Sequence, residues 1–227
     1  MTCPLCQQRK EKRFCPAVHE KICPQCCGEQ REVTLDCPSE CPYLLQARQQ
    51  ARENDTPREV TDAERAAMFP DVEIAEQFLY EREHLIMGLS FALAKSARAG
   101  RSLDGRPLTD RDLISALTAL AQSYQTLVQS SLIYEPPTNN LAHQQIAHEV
   151  ATMVKEFREE EEKHVGYSRL RDSEVLKALV FLLRMGLQRT SGRPKSHAFV
   201  DFLFAQFPES PSAIATPGAA SSRIVIP

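Results

Sequence analysis

No cysteine occurs after Cys41 in this chain of 227 residues, although eight lie at or before that position. Thiol chemistry is therefore confined to the first segment, and the rest must fold by burial alone. Long hydrophobic runs are also missing. The longest strongly apolar, uncharged stretch, residues 85–94, is roughly half of what a membrane helix needs. A longer uncharged stretch over residues 113–134 is interrupted by Ser115, Thr118, Gln122, Ser123, Gln125, Thr126 and Gln129. No membrane span is expected. Charge of one sign is not in excess: 27 Lys and Arg stand against 30 Asp and Glu, for a formal net charge of −3. No global cationic field draws the chain onto nucleic acid or anionic lipid, so any such binding must be local. The opening Met1-Thr2-Cys3-Pro4 has no basic stretch followed by an apolar one, so export is not expected and the reading is a cytoplasmic protein. A Gly-rich phosphate loop, a cofactor fingerprint and a nucleophile with a histidine partner are absent too, and His143 and His148 are spaced so that they do not stack on one helical face. An enzyme is not expected.

What the first segment does contain is metal-ligand spacing: Cys3-x2-Cys6, Cys15-x3-His19, Cys23-x2-Cys26 with Cys27 adjacent, and Cys37-x3-Cys41. Eight soft or borderline donors make two tetrahedral sites, and zinc suits them because it imposes no d-electron geometry of its own. Two intervening residues form a tight knuckle that brings both sulfurs to one ion. Pro4, Pro16, Pro24, Pro38 and Pro42 each follow a cysteine directly, fixing the backbone torsion just after a ligand. Cys27 can replace Cys26 as a ligand or stay a free thiol, and the residues leave both open. An even cysteine count also fits a disulfide framework, but without an export signal the reduced, metal-bound state is the expected one.

These ligand pairs resemble the cross-brace zinc modules of the MYND, HIT-type and B-box families over Cys3 to Cys41. The resemblance implies that the first and third pairs share one ion, Cys3, Cys6, Cys23 and Cys26, and that the second and fourth share the other, Cys15, His19, Cys37 and Cys41. It also implies protein or peptide binding. The run His19-x3-Cys23-x2-Cys26 is separately similar to the zinc motif of redox-responsive anti-sigma factors, which implies a zinc-thiolate redox sensor.

Beyond the cysteines the patterning is helical. Residues 43–52 are good helix formers leaving the metal module, and Glu53-Asn54-Asp55-Thr56-Pro57 reads as a linker. Thr61-Asp62-Ala63-Glu64 is a capping-box pattern for a short helix ending before Pro70. One long helix is expected over residues 70–99, with Phe78, Leu79, Leu85, Ile86, Leu89 and Leu93 at three- and four-residue intervals. Thr109-Asp110-Arg111-Asp112 is a second capping box for a nearly uncharged central helix, stopped by Glu135-Pro136-Pro137. Three further helices are expected, over residues 141–164, 175–188 and 196–207. The fold class is mainly α: a small Cys-rich binuclear zinc module (1–44), a connecting helix and linker (45–59), a helical bundle of about five to six helices (60–208) and a disordered tail (209–227).

Two more constellations are visible. Glu81-x2-His84 and Glu161-x2-His164 have the spacing of di-iron ligands, but the central helix between them carries no carboxylate after Asp112, so the set is incomplete. Basic residues cluster at Arg9, Lys10, Lys12 and Arg13, inside the loop between the first two ligand pairs, and again at Arg184, Arg189, Arg193 and Lys195. The expected function is a zinc-binding, non-enzymatic adaptor that engages a protein partner. The alternative is a nucleic-acid-binding regulator that uses Arg9, Lys10, Lys12 and Arg13. Loss of metal is expected to unfold the first segment and leave the helical part cooperative.

Overall fold

The computed structural model describes residues 1–53, 61–100, 105–130 and 140–208. The linker expected just after Glu53, the Pro-rich stop at 135–137 and the tail 209–227 lie outside them. The described chain is mainly helical, and none of its helices is long and apolar enough to cross a membrane.

The Cys-rich head opens with a knuckle. Cys3 N–H donates to Arg9 O and Gln7 N–H to Cys3 O, and Gln7 takes a left-handed φ of 53° to close the turn. Strands β1 (Arg13–Cys15) and β2 (Glu20–Ile22) pair antiparallel, with Phe14 opposite Lys21. Helix α1 (Pro24–Gln30) follows at once: Cys23 is its N-cap and Pro24 sits in the first turn, where a missing N–H costs nothing. The chain then folds back, since the amides of Val33, Thr34 and Leu35 all donate to Gln30 O. Ile22, Leu35 and Leu44 are the large apolar side chains buried among the cysteines, so the head has little core of its own.

Helix α2 (Pro42–Glu53) starts on the last cysteine pair, and α3 (Asp62–Ala67) is short as expected. The single helix expected over 70–99 is instead two, α4 (Glu76–Glu81) and α5 (Glu83–Ala99), with residues 70–75 not helical. Tertiary contacts account for the difference. The Arg184 guanidinium binds the carbonyls of Met68, Phe69 and Val72 at 2.7–2.9 Å, committing groups that a helix through Pro70 would need. At the α4–α5 break Arg82 leaves helical geometry, and its guanidinium grips Glu174 and Glu161.

The other helices are α6 (Asp110–Ser130), α7 (Leu141–Val165), α8 (Asp172–Arg189) and α9 (Ala198–Gln206), close to the expected spans. Helix α8 is apolar on most of its surface and packs against α6, α5 and α9, while α7 lies against α5 and α6. Gly186 permits a close approach: a β-carbon there would stand 3.0 Å from the ring of Phe199, itself fully buried.

Bundle and head meet at a polar joint. Glu32, 2% exposed and left-handed at φ 53°, accepts from Arg48 Nη2 at 3.0 Å and from Ser191 Oγ at 2.9 Å. Arg48 Nη1 donates to Asp201 at 2.6 Å, and Ser39 Oγ donates to the same carboxylate at 2.7 Å. From the bundle side Arg193 donates to the carbonyls of Gly28 and Arg31, Lys195 N–H to Glu32 O, and Lys195 Nζ to Thr34 O. The second basic group is thus engaged by the fold itself. Arg184 and Arg193 hold backbone carbonyls, and Arg189 lies 3.6 Å over the Phe202 ring.

Candidate metal centre

Two local structures place four sulfurs together. The knuckle supplies Cys3 and Cys6, and the start of α1 supplies Cys23 and Cys26, whose side chains recur on one side of the first helical turn. All four sulfurs lie within 4.8 Å of one another. The Cys6–Cys23 separation is 3.9 Å, nearly twice a disulfide bond of about 2.05 Å. It matches the edge of about 3.8 Å that a tetrahedron of sulfurs takes around zinc at about 2.3 Å. All eight cysteines are unbridged. The donor set therefore fits zinc, which bound here would link the knuckle to the first turn of α1 through one ion.

The environment favours thiolate unequally across the four. Amide N–H groups of Gln8 and Arg9 point at Cys6 and lower its thiol to about 6. Burial alone would raise Cys3, but the amides of Cys23, Cys6 and Leu5 overcome this and lower it. Cys26 is pushed up to about 12 by Cys23 first, then by burial and by Cys6 and Cys3, because a fourth negative sulfur would face those already present. A divalent cation removes that penalty, and its binding expels protons, so affinity rises with pH. Cys23 Sγ accepts the Cys26 amide at 3.4 Å, and the nearby Cys23 sulfur raises the pKa of the exposed Arg9 guanidinium. Such outer donors neutralise and orient thiolates in metal sites.

The remaining predicted residues fall differently. Cys15, Cys27, Cys37 and Cys41 are all buried in the head, whereas His19 is exposed in the turn between β1 and β2 at φ 55°. Among the described residues the Cys3, Cys6, Cys23, Cys26 set is the one tight ligand cluster, so the structure does not show a second metal site. Of the four basic residues read as phosphate contacts, Arg9 serves Cys23 and Arg13 stacks 4.7 Å over the Tyr43 ring, while Lys10 and Lys12 are exposed. Reading charge from sequence missed the Arg9 role; the available signal was its position within the first ligand knuckle. The di-iron pattern is not assembled: Glu161 accepts from Arg82, Ser168 and the amides of Arg169 and Leu170, fastening a loop. Comparison with protein-family models, with curated proteins and with solved structures found no match to this chain.

Proposed function

We propose that this chain is a non-enzymatic adaptor whose zinc-stiffened head presents a protein-binding surface on a helical body. The observation that carries the reading is Phe14, in the middle of β1, 55% exposed on a head that has few large apolar residues to spare. Leu5 and Val33 are also exposed on the head. A large aromatic held out by a rigid hairpin is an interface anchor, since little side-chain and backbone entropy remains to be lost on binding. The four-thiol site supports this reading: a complete protein ligand set leaves no open position for substrate, as structural zinc requires.

Partners recovered from cells by the intact protein should be lost with Phe14→Ser, which keeps its zinc, and with Cys6→Ser, which does not. Recovery of one and the same set with all three proteins would overturn the reading. Nucleic-acid binding is the second reading, supported by Lys21 opposite Phe14 and by exposed Lys10 and Lys12. Retention on an oligonucleotide at low salt, abolished by Lys10→Glu with Lys12→Glu, would move the assignment there.

A further inference from the structure

We propose that Cys15, Cys27, Cys37 and Cys41 form a second zinc site, with Cys27 as its fourth ligand and His19 outside it. Helix geometry separates the two adjacent cysteines of α1. Consecutive helical residues point about 100° apart, and both are buried, so Cys26 and Cys27 leave the helix toward different neighbours. Cys26 belongs to the tight four-thiol set. Cys27 faces elsewhere in the same head.

The other three thiols come from segments packed around that helix. Cys15 ends β1, which contacts α1. The fold-back onto Gln30 O returns the chain toward α1, and a turn from Pro38 O to Cys41 N–H brings the last pair round together. Exposures of 6%, 7%, 8% and 6% for Cys15, Cys27, Cys37 and Cys41 put all four inside the cluster that contains Leu35 and Leu44. This set is looser than the first, and closing a tetrahedron requires it to contract around the ion. His19 would have to abandon an exposed position at the tip of the hairpin to join it. Four thiolates are a soft donor set that selects zinc over hard cations. The ion would tie the C-terminal part of the head, which α1 leaves by a turn, to the hairpin.

Metal content and cobalt-substituted spectra of the full-length protein test this. The intact chain should carry two zinc ions, with a cobalt spectrum of four-sulfur sites only. His19→Ala should keep both ions, Cys27→Ser should fall to one, and Cys27→His should restore the second with a three-sulfur, one-nitrogen signature. A single four-sulfur ion in the intact protein would overturn the second site and leave the first standing; no ion at all would remove both. Loss of one ion in His19→Ala, with two kept in Cys27→Ser, would return the fourth position to the histidine.

Discussion

Asp110 shows how one residue can have a local pattern and a distant role. It lies inside a capping-box pattern at the start of α6, yet the box is closed by Asp112, whose carboxylate accepts from Thr109 N–H and Oγ1 at 2.8 Å. Asp110 is fully buried and caps a different helix: it accepts from Ser196 Oγ at 2.6 Å and from the amides of Phe199 and Val200 at 2.9 and 3.1 Å, at the start of α9. A carboxylate taken wholly from water persists because three donors converge on it. Asp110→Ala should destabilise the bundle by about 3 kcal/mol, since the α9 amides are then buried without an acceptor. Denaturant unfolding checks the value. An effect within about 0.5 kcal/mol, the size of an ordinary surface change, would show that α9 needs no such cap. The second helical pattern, Thr109 to Asp112, was readable because its members are neighbours in sequence; the partners of Asp110 are 86–90 residues away.

At the level of elements, the loop after α7 depends on Glu161. Burial alone would raise its pKa, but Ser168, the amides of Arg169 and Leu170 and the charge of Arg82 outweigh that and lower it. A carboxylate whose folded pKa lies below its unfolded value adds stability that is present above the unfolded value, about 4.3 for glutamate. That stability is lost as pH falls through the folded value. Glu161→Gln should therefore be less stable than the parent near neutral pH, with the difference closing below about pH 4. Thermal melts across that range give the test, and a constant difference would show that the charge of Glu161 is not what holds the loop. The same contacts explain why periodicity located α5 to α9 well but merged α4 with α5. Apolar spacing continues through residues 70–99, whereas the breaks come from Arg184 and Arg82, cations whose partners lie on other elements.

For the molecule as a whole, the joint formed by Glu32, Arg48 and Asp201 couples the head to the bundle. Helix α2, expected as a connecting element, carries the arginine that bridges the two carboxylates. Burial would lower the Arg48 pKa, and Asp201 and Glu32 more than offset this and raise it, so the guanidinium stays charged in the joint. Removing one member of a largely buried ion pair leaves its partner uncompensated, so Glu32→Ala should cost about 3 kcal/mol. Chelation of zinc should then unfold the head, leave the bundle folded, and lower the bundle's melting temperature, because Ser191, Arg193, Lys195 and Asp201 lose their partners in the head. Circular dichroism melts with and without chelator measure this. An unchanged bundle transition would mean that the head contributes nothing to bundle stability, and collapse of all helical signal would mean that the bundle cannot stand without it.

The sequence alone determined the division into a cysteine-rich head and a helical body, the paired spacing of the cysteines, and most helix positions. Each of these follows from interactions between residues close in the chain: knuckle spacing, proline torsions and three- and four-residue apolar steps. Tertiary structure alone decided that Arg9 stands beside the Cys23 thiol, that Arg193 and Lys195 hold the head, that Asp110 caps a helix other than its own, and that Glu32 is buried. A charged side chain has no preferred neighbour until the fold removes water from around it, and which opposite charge or carbonyl it then meets depends on contacts between segments far apart in the chain.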